Sequence, residues 1–187
     1  MIVGQFGGGA AADWIAGEGT GSRLFTGAGD GTFTSALLAT PAIVAAGRLT
    51  ADELDDLVAT FGDTVALYRN LDGGDFERSS YQVFTAPVFT AVADLTPNGL
   101  DDIVAWSSGQ LFFLESTGDG DLAPAVELVS GAPDPQFTDG MHVAAGDLDG
   151  NGRIDLVVDH VVYLRSPAGL LTAVATVAFD HGPCSWR

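Results

Sequence analysis

An aspartate followed by a short apolar stretch occurs four times along this chain, and that repeat constrains the fold more than any other feature. The copies read Asp13-Trp-Ile-Ala, Asp56-Leu-Val-Ala, Asp102-Ile-Val-Ala and Asp155-Leu-Val-Val, with spacings of 43, 46 and 53 residues. Across a loop, each is preceded by a second apolar stretch: Ile2-Val-Gly-Gln-Phe, Ile43-Val-Ala-Ala-Gly-Arg-Leu, Phe89-Thr-Ala-Val-Ala-Asp-Leu and His142-Val-Ala-Ala-Gly-Asp-Leu. The longest spacing contains a Gly131-Ala-Pro-Asp-Pro135 linker. Periods in this range mark stacked units, none of which can bury its own apolar face alone.

The residue types within each unit are those of strands. Val, Ile, Phe and Thr dominate the regular segments, and turn residues interrupt them every few positions. After each closing aspartate comes a third strand, as in Arg23-Leu-Phe, Val65-Ala-Leu-Tyr, Leu111-Phe-Phe-Leu and Val161-Val-Tyr-Leu. Glycine-containing turns follow in 29–33, 72–76, 118–121 and 166–169, then a fourth strand such as Tyr81-Gln-Val-Phe or Leu171-Thr-Ala-Val-Ala. Four short antiparallel strands per repeat of ~45 residues describe a β-propeller blade. The expected fold is therefore all-β: four tandem four-stranded blades over 1–40, 41–86, 87–130 and 131–187, forming a partial propeller.

Charge bears on partners. The chain has 25 acidic against 7 basic residues, all of the latter Arg, for a net charge of −18. Nucleic acid and anionic membrane both require a basic patch, so neither is an expected partner. No apolar run approaches the ~18 residues of a membrane span. Part of the acidity sits in spaced clusters between apolar strands, where its use is to hold a cation.

The fourth copy carries the fullest such cluster. Counting Asp147 as position 1, Asp149 falls at 3, Asn151 at 5, Gly152 at 6, Arg153 at 7 through its backbone carbonyl, and Asp155 at 9. Calcium takes six to eight hard oxygens, and alternate residues of a tightly wound loop aim theirs at one centre. An EF-hand would need a bidentate Glu at position 12, which here is Val158 in a strand-like run. The third copy offers a weaker set: Asp94, Thr96, Asn98, the Leu100 carbonyl and Asp102, with Thr96 replacing a carboxylate. In the second, Arg48, Thr50, Asp52 and Asp56 remain, and a guanidinium is expected to stand in for the ion. In the first, Gln5, Gly7 and Gly9 leave only Asp13, so neither of these loops is expected to hold metal.

With these residues the chain resembles the FG-GAP and VCBS repeats, the blades of integrin-alpha-type propellers. The resemblance rests on the repeated strand, the Asp-x-Asp-x-Asn-Gly-x-x-Asp loop, the Asp-Leu-Val strand and a turn such as Asn70-Leu-Asp-Gly-Gly-Asp-Phe76, and it extends from Met1 to about Phe179. It implies Ca2+ in the loops, ligands on the rims or between blades, and an extracellular or cell-surface setting. Since that family usually closes seven blades, it also implies an arc that self-associates or continues into further blades of a longer chain. The chain opens on a strand without a basic leader, which agrees with an arc cut from something longer.

Catalytic readings fare poorly. There is no Gly-x-Ser-x-Gly elbow and no His-Glu-x-x-His, and without Lys no phosphate-binding loop of the Lys-containing kind. Of the three histidines, His142, His160 and His181, the first two read as blade-surface residues, and Cys184 reads as a spare thiol or a link to a missing segment or a second chain. In Asp55-Asp56 and Asp101-Asp102 the second residue closes the loop and the first points away. Trp14 and Trp106 read as packing between blades. The expected function is a non-catalytic binding or adhesion module for a protein ligand. The alternative is a carbohydrate-binding, lectin-like propeller or the accessory part of a polysaccharide-degrading enzyme.

Overall fold

The computed structural model describes residues 1–7, 9–18, 21–41, 43–84, 88–130, 143–169 and 171–176; His142, His181, Cys184 and the 131–135 linker lie outside them. Sixteen strands form four sheets, each with its strands in chain order and antiparallel. The first holds β1 (Ile2–Gly4), β2 (Asp13–Glu18), β3 (Gly21–Gly27) and β4 (Phe33–Leu38). The second holds β5 (Ile43–Gly47), β6 (Asp56–Phe61), β7 (Thr64–Asn70) and β8 (Phe76–Val83). The third holds β9 (Val88–Ala93), β10 (Asp102–Ser107), β11 (Gln110–Leu114) and β12 (Val126–Ser130). The fourth holds β13 (Val143–Gly146), β14 (Asp155–Val158), β15 (Val161–Arg165) and β16 (Leu171–Thr176). Each sheet is a propeller blade, and among the described residues no helix is long and apolar enough to cross a membrane.

The four central hairpins share one register. Trp14 pairs with Phe25, Leu57 with Tyr68, Ile103 with Leu114 and Leu156 with Tyr163. Successive side chains on a strand point to opposite faces. The residue one after each closing aspartate therefore lies on one face, and the residue two after it on the other.

This alternation builds three cores, each between neighbouring sheets. Ile15 and Leu24 of the first sheet meet Leu57, Ala59, Ala66 and Tyr68 of the second. Val58, Val65 and Leu67 then meet Ile103, Ala105 and Leu114 of the third, and Val104 and Leu111 meet Leu156, Val158 and Tyr163 of the fourth. Each core takes in the residue at position 2 of a loop, Phe6, Leu49 or Leu95, and all three are buried. A buried Leu contributes roughly 1.5–3 kcal/mol over an exposed one, so these seams carry much of the stability. Trp106 packs against the third seam, whereas Trp14 stacks on Phe25 at a centroid distance of 3.8 Å on the outer face of the first sheet.

Candidate metal centre

The aspartate that closes each loop is buried in all four sheets and is held by backbone amides. Asp13 Oδ2 accepts from the amides of Phe6 (3.0 Å) and Gly7 (2.7 Å), and its Oδ1 from that of Gly27 (2.9 Å). Asp102 Oδ2 accepts from the Leu95 and Thr96 amides and the Thr96 hydroxyl, and its Oδ1 from the Ser116 amide. Asp155 accepts from the Leu148 amide (2.8 Å) and the Arg165 amide (2.7 Å), and Asp56 from the Asn70 amide. One oxygen thus holds the end of the third strand, and in three sheets the other holds the entry of the loop. Burial raises the pKa of Asp56 and Asp102 above the ordinary carboxylate value, with the accepted hydrogen bonds opposing it.

This role was not legible in a reading that gave the closing aspartate to a cation. The signal was present: Asp13 persists in a loop whose other ligand positions are Gln and Gly, which a metal role does not explain.

The residue before the closing aspartate makes a second missed contact. Asp55 Oδ2 accepts from the Gln5 amide of the preceding sheet at 2.7 Å, while the Asp55 amide donates to the Gln5 carbonyl at 2.9 Å. Asp101 repeats this with Arg48, at 2.9 and 2.7 Å. Asp55 and Asp56 therefore point apart, towards Gln5 and Asn70, and do not act as an acid–base pair. At the third seam, position 1 is Asp94 and the corresponding partner is Ile154, which packs into the apolar core instead. A carboxylate there would face a second carboxylate. Asp101 already feels this: burial raises its pKa, and nearby Asp94 and Asp55 raise it further.

The fourth loop brings three of its candidate residues together. One carboxylate oxygen from each of Asp147, Asp149 and Asp155 lies within 4.8 Å of the others, with the first two exposed and the third buried. Asp147 Oδ1 accepts from the Gly150 and Asn151 amides and its Oδ2 from Gly152 (2.8 Å). These amides, Gly152 foremost, hold the Asp147 carboxyl below the usual carboxylate range. Gly150 and Gly152 both have φ of 78°, a left-handed backbone that winds the loop around its acids. Asn151 Oδ1 accepts the Arg153 amide and keeps a second lone pair, as does Asp147 Oδ2 beside the Gly152 amide. The donor set is all hard oxygen, anionic and wound around one point, which fits a calcium ion.

The third loop is arranged differently. Asp94 accepts from Gly99 at 3.3 Å, Asn98 Oδ1 accepts from Leu100, and the Thr96 hydroxyl is spent on Asp102. In the second loop the cation beside the remaining carboxylate is Arg69 of β7, at 3.7 Å from Asp52 Oδ2. Arg48, the guanidinium expected to fill that place, donates instead to the Asp52 carbonyl at 3.1 Å. His160 lies in the turn between β14 and β15, at the opposite end of β14 from Asp155.

Residues 94–158 match the model of the FG-GAP-like repeat. The matched stretch opens on Asp94 and contains both loops that begin with aspartate. Of the expected resemblance from Met1 to about Phe179, the FG-GAP part is thus shown over this narrower range. No curated protein matches the chain. Among solved structures, it is similar to a lectin from Agrocybe aegerita, described for its specific recognition of non-reducing terminal N-acetylglucosamine. The identity is 19% and the TM-score 0.66, over 95% of this chain and 51% of the lectin's. It is also similar to part of the Photorhabdus luminescens Tc holotoxin pore, with 21% identity and a TM-score of 0.50, over 91% of this chain and 9% of the other. The chain thus spans about half the length of the lectin chain it matches. What these likenesses show is the fold: an array of β-propeller blades that carries an FG-GAP-like repeat.

Proposed function

We propose that the chain is a non-catalytic, extracellular, calcium-binding propeller module of the VCBS and integrin-alpha type, which presents its rim to a protein ligand. The observation that supports this best is the convergence of Asp147, Asp149 and Asp155 in a loop already wound around them. The ion's role is to neutralise clustered carboxylates in a chain of net charge −18 and so to rigidify the fourth sheet. Extracellular modules of this kind bind calcium with a Kd of ~10⁻⁴–10⁻³ M, filled outside cells and empty in cytosol.

Calorimetry tests the ion. One calcium is expected to bind firmly, at the fourth loop, with Asp149→Ala weakening it at least ~10-fold. Equal binding by that variant would sink the assignment. Asp94, Thr96, Asn98, Leu100 and Asp102 form the weaker second site of the proposal, because one carboxylate is missing and the Thr96 hydroxyl is already engaged.

Linkage gives a further expectation. An ion that binds only the folded state adds roughly 1–2 kcal/mol at ~10 times Kd. Excess chelator should therefore lower the Tm, and an unchanged Tm would count against a stabilising ion.

A second reading, a glycan ligand, is favoured by the fold likeness to a lectin. Retention of the chain on immobilised glycans ending in N-acetylglucosamine tests it, and passage through without delay would remove it.

A further inference from the structure

The apolar contacts of the three seams repeat one pattern, and the fourth and first sheets carry its two unmatched halves. At every seam the preceding sheet contributes a position-2 loop residue (Phe6, Leu49 or Leu95) together with the residue two after its closing aspartate (Ile15, Val58 or Val104). The following sheet contributes the residue one after its closing aspartate and that residue's cross-strand partner: Leu57 with Tyr68, Ile103 with Leu114, Leu156 with Tyr163.

In the fourth sheet the contributing half is present but uncovered. Leu148, at position 2, is 52% exposed where its three counterparts are at most 1% exposed. Val157 and its partner Val162 are half-buried beside it. In the first sheet the receiving half joins no core cluster among the described residues. Trp14 and Phe25 occupy the place of Leu57 and Tyr68, stack on each other, and are flanked by Val3 at 62% and Leu37 at 67% exposure. Among the described residues, no core cluster joins the first sheet to the fourth.

We infer that a second copy of this chain docks head to tail. The Leu148–Val157–Val162 face of one copy covers the Trp14–Phe25–Val3 face of the other, and the reciprocal contact closes a two-copy ring. The occupant is argued from the seams themselves, because the chain already contains the mate of each open face and joins the two kinds three times over. A head-to-tail contact closes when its rotation permits and otherwise grows into a filament. The open halves match the internal seams in register and apolar character, so the pair should associate in the micromolar range, where interfaces of ordinary quality begin.

Sedimentation velocity on the full chain from ~1 to ~100 µM, with calcium present, tests this. A species of twice the chain mass is expected. Val3→Glu and Leu148→Ala should each weaken it at least ~10-fold. Both side chains are mostly exposed, so neither change removes a core contact, and an unchanged Tm in dilute protein checks that each variant folds. Mixing the two variants pairs an intact fourth-sheet face with an intact first-sheet face and should restore part of the dimer. A monomer at every concentration overturns the inference. So does a Leu148→Ala chain that dimerises like the parent, because contact between two first sheets would leave it unaffected. Growth beyond the dimer overturns closure. None of these outcomes depends on the proposed ligand.

Discussion

Replacing Asp13 with alanine is expected to lower the unfolding free energy by about 3–5 kcal/mol, in a loop whose other ligand positions are Gln5, Gly7 and Gly9. The side chain is 1% exposed and accepts three backbone amides at 2.7–3.0 Å. Alanine leaves the buried Phe6 and Gly7 amides and the part-buried Gly27 amide without the acceptor they now have. An unsatisfied buried donor costs about 1–3 kcal/mol, and local relaxation recovers part of the sum. Urea unfolding with and without calcium is the measurement, and the loss should be the same in both. A loss under ~1 kcal/mol would show that the closing aspartate is not a structural staple. A loss that appears only with calcium would give it back to a metal.

Leu49→Ala and Leu148→Ala form the second expectation: one substitution at one repeat position with two outcomes. Leu49 is fully buried in the second seam, so its truncation removes apolar contact and leaves a cavity, for about 2–5 kcal/mol. Leu148 stands at the same point of the fourth loop but is 52% exposed, and its truncation should change stability by less than ~0.5 kcal/mol in dilute protein. The two are compared by denaturant midpoint below the concentration at which chains associate. Equal losses would mean that Leu148 is covered within its own chain, and the array would then close on itself.

Much of the fold could be read from residue order because the repeat is written twice over, in the spacing of the closing aspartates and in the alternation after each of them. Ile15, Val58, Val104 and Val157 fall two places past the aspartate, and Trp14, Leu57, Ile103 and Leu156 fall one place past it, so the two faces of every sheet follow from period 2. The convergence of Asp147, Asp149 and Asp155 was also local, since a loop of nine residues with two left-handed glycines can only fold around them in a few ways.

What could not be read were contacts between sheets. That Asp55 reaches Gln5, or that Arg69 and not Arg48 approaches the Asp52 carboxylate, depends on how neighbouring sheets and strands pack. Spacing along one repeat carries no record of that. The buried aspartates were half legible. Their type and position suggested ligands, while their use as acceptors for the Gly27, Asn70, Ser116 and Arg165 amides needed the third strand in place.

The bonds from Asp55 to Gln5 and from Asp101 to Arg48, set against Ile154 beside Asp94, mean that the sheets are not interchangeable parts. Placing the fourth sheet directly after the second would bring Ile154 opposite Arg48 and leave its amide without the carboxylate it now has. Placing a duplicate of the third sheet after the third would bring a second Asp101 opposite Asp94, two acids with no positive group between them. Shuffling or duplicating single repeats therefore fails unless position 1 on one side and the residue before the closing aspartate on the other change together. Any engineered lengthening of this array has to swap residues in matched pairs across each join, with the join as the unit of design and not the sheet.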